Sequence, residues 1–299
     1  MQTSRLMMNF ATALAATAIF ATAATGPAAR AAASANGEVG WVLDYQPPEA
    51  LHTLIRAGVA KPMALKLGTP LHANDLIRLD TSGKVIVGLA DDTEQEVTGP
   101  GRWRVPSVKP TSAALQIMRT LLGMLDKQEQ LAGSAATRNL QGCLQGAEAE
   151  PIRMPMLMAS SQVTAGTQPL RLRWLGGCPP FVVSLESNGS VLKEAPPRSQ
   201  NSLELADLTL TAGTYQLRIR DRDGPPRTFS FQAVDAAPRL PADLAAGTST
   251  VRVLARALWL ADAEQGAWRL ESIKVLGPLL EQRQPAALRL ADYVQLGGK

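Results

Sequence analysis

Histidine and cysteine are scarce in this chain of 299 residues, with two of each. A zinc-type site draws three or four ligands from such residues. Here the thiols stand far apart in sequence and both histidines are remote from them, so no metal site or other cofactor is expected. Several signatures are missing outright. No G-x-S-x-G elbow accompanies His52 or His72, so a hydrolytic triad has no nucleophile. His72 stands beside Asn74 and Asp75, but without that nucleophile it reads as a turn histidine. No glycine loop ends in Lys-Ser or Lys-Thr, which excludes a P-loop, and no D-x-D-x-D-G calcium loop is present. Lysine and arginine sum to a formal charge of +4 but do not cluster, so a nucleic-acid surface is not expected either. After the first residues, no apolar run reaches the length of a membrane span.

A hydrophobic content of 45% with 19% charged residues is that of globular protein. The length suits two domains or three small ones. Residues 1–35 differ from the rest. Arg5 gives a positive start, Met7 to Thr25 is small and apolar, and Ala33 and Ala35 offer a cleavage site before Asn36. A cleaved export signal is the expectation, with the mature chain in the periplasm and no membrane span left after cleavage near Ala35. A retained anchor is the alternative, though Ala, Thr and Asn9 dilute the run. In an oxidising compartment Cys143 and Cys178 become candidates for a disulfide. It would close a loop of about 35 residues, worth roughly 3–4 kcal/mol. Two separate thiols, with Cys178 packed as a small hydrophobe, are the other possibility.

From Asn36 to about residue 110, short apolar runs are bounded by Gly, Pro, Asn or Asp. A short strand is expected through Trp41 and Leu43. Thr81–Lys84 and Ala90–Thr93 have the composition of hairpin reversals, and Thr98–Gly101 that of a further turn. This predicts a compact antiparallel β domain of five or six strands. Leu115, Met118, Leu122 and Leu125 then recur at helical spacing, followed by a small and polar linker to about residue 155. The cluster Met154, Met156 and Met158 reads as packing rather than as a copper site.

Residues 156–236 carry six to seven strands at regular spacing, which predicts an antiparallel sandwich. Asn188–Ser190 marks a hairpin, Trp174 a central core aromatic, and Tyr215 an inner-face residue near a strand start. Residues 237–299 are helical. Val251, Leu254, Leu258 and Ala261 form one stripe, and Leu270, Ile273, Val275 and Leu276 a second. Pro285 opens a third, shorter helix.

The stretch "LGTPLHANDLIRLDTSGKVIVGLADDTEQEVTGPGRWRV" resembles the FecR-type β domain of bacterial envelope proteins. That family has Gly-Asp where this chain has Asn74-Asp75, and Ala-Asp-Gly where it has Ala90-Asp91-Asp92. The stretch "RLRW…PPFVVSL…AGTYQLRIRD" is similar to the Ig-like domain often fused to such modules, and the tail to a single tetratricopeptide-like helical pair. The resemblance implies a mainly β fold: a FecR-like antiparallel β domain (36–110), a helix and linker (111–155), an Ig-like β-sandwich (156–236), and a C-terminal α-hairpin in a helical tail (237–299). Family members that signal to a cytoplasmic sigma factor retain a membrane span. A cleaved leader points instead to a scaffold located in the envelope.

With no nucleophile–base pair or metal set, a non-catalytic binding or scaffold role is expected, toward an envelope protein or a peptidoglycan-like glycan. A sensor acting through a membrane partner is the alternative. Two binding surfaces suggest themselves. One joins the hairpin tip at Asp91 and Asp92 with Arg102, Trp103 and Arg104. The other is a groove between the tail helices. Asp91, Asp92 and Glu94 are close enough in sequence to raise calcium, but read better as a solvated tip.

Overall fold

The computed structural model describes residues 37–46, 52–80, 82–109, 143, 150–158, 160–222, 224–245 and 247–297. The expected leader and the helix expected from Ser112 lie outside them. Contacts divide the chain into Met1–Gly37, of which only Gly37 is described, and a compact unit, Glu38–Lys299. The described fold is mainly β, with several antiparallel sheets and three helices near the C-terminus.

Alternation of apolar and polar residues in the first hundred positions builds eight short strands, more than the five or six expected. They are β1 (Glu38–Gln46), β2 (His52–Ile55), β3 (Met63–Ala64), β4 (Pro70–His72), β5 (Leu76–Leu79), β6 (Lys84–Leu89), β7 (Glu94–Thr98) and β8 (Gly101–Arg104). They form two four-stranded sheets, ordered β4-β1-β6-β7 and β3-β2-β5-β8. The β1 strand is longer than the short strand expected, because it is buried on both faces. Val39 and Val42 join the core between the two sheets, while Trp41 and Leu43 face a second core behind them. A strand covered on both sides reads as a continuous apolar run, not as an alternation.

The reversals divide in an unexpected way. Ala90–Thr93 is a hairpin between paired strands β6 and β7. The expected reversal at Gly83 is not, because β5 and β6, on either side of it, lie in different sheets; Thr81 lies outside the described residues. Thr98–Gly101 likewise carries the chain from β7 in one sheet to β8 in the other.

The second β region has seven strands: β9 (Gln162–Thr164), β10 (Gly166–Arg173), β11 (Phe181–Ser187), β12 (Ser190–Arg198), β13 (Ser202–Leu210), β14 (Gly213–Arg220) and β15 (Arg227–Val234). Sheets β10-β13 and β12-β11-β14-β15-β9 face each other over Leu170, Leu172, Val183, Leu205, Leu217 and Phe231. Asn188 and Gly189 take φ of 50° and 75°, the pair of left-handed residues that a tight β11–β12 reversal requires. Trp174 is fully buried, edge-on to Phe181 with ring centroids 5.2 Å apart. Tyr215 is buried at the start of β14. Its hydroxyl accepts from the Thr211 N–H at 2.9 Å and donates to the Thr211 carbonyl at 3.0 Å. Met154 and Met156 are core residues, and Met158 is exposed.

A four-residue turn, α1 (Ala242–Ala245), precedes α2 (Thr250–Asp262), α3 (Arg269–Glu281) and α4 (Pro285–Leu296). Ser249 caps α2 by accepting from the Arg252 N–H. Pro285 lies in the first turn of α4, where a missing N–H costs nothing, and Gly297 closes that helix with φ 70°. The apolar stripes are not free. Val251, Leu254, Leu258, Ile273, Leu276 and Leu290 belong to the same core as the sandwich and as Trp41 and Leu43. Leu260 and Trp268 form a further buried cluster on another side of α2. The apolar stripes expected to line a groove between the helices are therefore part of the protein's own core.

Candidate binding surface

The Asn74–Asp75 turn is held from within. Asn74 has φ 70°, a conformation open chiefly to Gly, Asn and Asp. Asp75 is 1% exposed. One of its oxygens, Oδ2, accepts from Arg56 Nη2 at 2.9 Å and from the backbone N–H of His72 at 2.9 Å. Arg56 also donates to the Pro70 carbonyl at 2.7 Å. The His72–Asp75 relation that the sequence hints at thus runs through the His72 backbone, and the carboxylate is committed to Arg56. His52 is fully buried on the inner face of β2, opposite Leu79, turned away from solvent.

The acidic hairpin tip has structural duties too. Asp91 Oδ1 accepts from the Thr93 N–H at 3.1 Å and its hydroxyl at 2.6 Å, which closes the turn locally. Asp92, at φ 71°, forms an ion pair with Arg252 on α2. Glu94 accepts a hydrogen bond from the backbone N–H of Thr250, the first residue of α2. Glu94 therefore meets the positive end of a helix, where anions are favoured, and Asp92 meets a guanidinium of the same first turn. A Cβ on Gly88 would lie 2.6 Å from Val251 Cγ2 and 2.8 Å from Leu43 Cδ1, so α2 sits directly on β6. Asp92 and Glu94 thus join the β module to the helices, while Asp91 is exposed and serves the turn itself.

Arg102, Trp103 and Arg104 lie in the other sheet, beyond the whole length of β7, about 17 Å at the usual strand rise. The structure does not bring the acidic and basic halves of the expected surface together as one site. Trp103 pairs with Ile77 and packs toward the core between the sheets, so it is not a surface platform. Arg102 and Arg104 point the other way and are exposed. Arg102 is paired across the strands with Arg78, and Arg104 with Leu76. Thr53 pairs with Arg78 from the opposite side, and Ala64 with Thr53. The solvent face of this sheet thus runs Ala64–Thr53–Arg78–Arg102 in one row and Ile55–Leu76–Arg104 in the next. Arg78 meets Asp80 at 2.6 Å, both about half exposed. Among the described residues, the side chains of Arg102 and Arg104 have no ion pair or hydrogen bond. Arg78 was not singled out from the sequence. The alternation in "LIRL" faces it outward, but the β5–β8 pairing that sets it beside Arg102 has no local signature.

Cys143 and Cys178 are joined in a disulfide, with Cα atoms 5.6 Å apart. Cys178 is buried, and its N–H donates to Asp221 Oδ2 at 3.0 Å. Asp221 Oδ1 also receives the Gly224 N–H at 2.7 Å, so one carboxylate fixes two loops around the bridge.

Two titrating groups are displaced, both around the α2–α4 junction. Burial raises the Asp262 carboxyl above its ordinary range, with Arg269 partly opposing it. Tyr293 is raised by burial and then by the Asp262 charge, again against Arg269. Among the described residues no group of three or more His, Cys, Asp or Glu is placed to hold a metal ion, and no helix is long and apolar enough to cross a membrane. No protein-family profile matches the chain, and no curated protein matches it in sequence.

Proposed function

We propose that this chain is an exported, non-catalytic binding scaffold of the bacterial envelope, built from a FecR-like β module, an Ig-like sandwich and helices that lock the two together. The FecR-like reading draws support from backbone conformation. The family pattern has glycine where this chain has Asn74 and Asp92, and these residues take φ of 70° and 71°. A glycine in the pattern and a left-handed Asn or Asp here satisfy the same steric demand. The Ig-like reading is supported by two facing sheets, by the parallel pairing of β9 with β15, and by Tyr215 hydrogen-bonded back to Thr211.

The observation that carries the binding role is the arginine face of the β3-β2-β5-β8 sheet. The charged groups that a catalytic reading would use, Asp75, Asp92 and Glu94, are engaged in holding the fold. Arg102 and Arg104 do no such work among the described residues. The test is to express the chain with its leader, determine the N-terminus of the exported form, and sediment that form with purified cell-wall sacculi. A start at Asn36 and co-sedimentation are expected. An intact Met1 chain in the membrane fraction, or protein that stays in the supernatant, would refute the reading.

A further inference from the structure

We infer that the solvent face of the β3-β2-β5-β8 sheet, bearing Arg78, Arg102 and Arg104, docks a carboxylate-bearing cell-wall glycan; the inference rests on the binding role proposed above. Arg78 and Arg102 are directly opposite each other, an arrangement of like charges that disfavours the sheet; Asp80 offsets the charge of Arg78, which leaves Arg102 and Arg104 for a further anion. Cross-strand neighbours stand about 5 Å apart, and residues two apart on a strand about 7 Å. The three guanidinium stems therefore rise from a triangle of those dimensions on one flat face. Arg102 and Arg104 each present a planar fork suited to a carboxylate, and Arg78, whose Nε is held by Asp80, adds its charge beside them.

Protection of a sheet edge does not account for the pattern. Charged residues on an edge strand deter stray pairing, and β8 is an edge strand, but Arg78 lies on β5, which is paired on both sides. The rest of the face selects among anionic partners. Single-stranded nucleic acid is bound by aromatic side chains on which bases stack, and Trp103 is turned inward. A membrane surface calls for a patch of exposed apolar side chains, but none of the exposed large hydrophobics, Val59, Met158, Val191, Leu192 and Leu288, lies on a strand of this sheet. Strand addition by a peptide needs a longer edge than the four residues of β8. A flat row of Thr53, Ala64 and half-buried Ile55 and Leu76 beside the arginines leaves an extended, repeating polyanion that can lie across it.

The experiment measures binding of the wild-type protein and of R102E/R104E to polygalacturonate, with neutral dextran, polyphosphate and single-stranded DNA as parallel probes at low and physiological salt. Binding to polygalacturonate and not to dextran is expected. It should weaken with salt and fall about tenfold or more in the double variant, from the summed loss of two exposed charge contacts and their reversal. The substitution R102E sets a glutamate opposite Arg78 in place of an arginine, so the melting midpoint should hold or rise while binding falls. K193E, on β12 of the sandwich, should bind as wild type does. Equal binding by R102E/R104E, absence of polygalacturonate binding, or tighter binding of polyphosphate or DNA overturns the inference. If R102E/R104E still sediments with sacculi as wild type does, this face is wrong while the envelope-binding role stands.

Discussion

Replacing Gly88 with alanine puts a single methyl group against the contact that joins the helices to the first β module. The added Cβ would lie 2.6 Å from Val251 Cγ2 and 2.8 Å from Leu43 Cδ1. Carbon atoms rest at about 3.5–4.0 Å, so each neighbour would have to retreat by about 1 Å. Neither is free to do so, because Val251 is fully buried and Leu43 is 1% exposed. Overpacking of this kind costs about 1–3 kcal/mol. A gain of about 0.4–1 kcal/mol from a less flexible unfolded chain offsets part of it. Val251→Ala alone should cost about 2 kcal/mol, from two buried methyl groups and the space they leave. In the double variant G88A/V251A the new methyl enters that space. The two costs should therefore fall short of additivity by about 1–2 kcal/mol. Urea unfolding of the disulfide-intact protein, followed by tryptophan fluorescence at constant m-value, measures all three. G88A within about 0.3 kcal/mol of wild type, or strictly additive losses, would mean that α2 does not rest on β6.

Asp75→Ala should destabilise by about 2–4 kcal/mol, because it strands Arg56 and the His72 N–H in a mostly buried turn; a urea midpoint close to wild type would contradict that role. Opening the Cys143–Cys178 bridge releases a 35-residue separation, and the C143S/C178S variant should lose about 4 kcal/mol. A loss below about 1 kcal/mol would show that the unfolded chain is not what the bridge constrains. Asp262 tests a pH dependence. Its folded pKa is raised by burial against Arg269, and it stands at the C-terminal end of α2, where a negative charge is unfavourable. A raised folded pKa means stability fully present below the unfolded pKa and lost as pH rises through the folded value. D262N should therefore melt above wild type near neutral pH and converge with it near pH ~3. A constant difference at all pH values would refute the assignment.

Local chemistry made the turns legible. Asn74, Asp91-Asp92 and Asn188-Gly189 were readable as reversals because few residues tolerate a left-handed backbone. Which reversals close a hairpin was not readable. Gly83 and Asp92 both suit a tight turn, yet one crosses between sheets and the other joins neighbours, and only the packing of distant strands distinguishes them. The helix stripes at Val251 and Leu270 were equally plain from periodicity. What they cover was not, because an amphipathic pattern records that a face is buried without naming its partner. The same limit applies to the acidic hairpin. Asp92 and Glu94 look solvated until Arg252 and Thr250, over 150 positions later, supply the cation and the helix end they serve. For the proposed binding face the alternation in β5 and β8 was visible, but not the register that sets Arg78 opposite Arg102.

The contact between α2 and the β6–β7 hairpin also sets an order of completion. The hairpin is among the early segments of the chain, and the residues that satisfy it are near its end. Until Thr250, Val251 and Arg252 arrive, Glu94 has no helix end to meet, Asp92 lacks its cation, and the notch over Gly88 is open. The first β module therefore begins as a half-finished surface and becomes a closed one only when the last sixth of the chain is present. A chain cut short before α2 would leave this surface open.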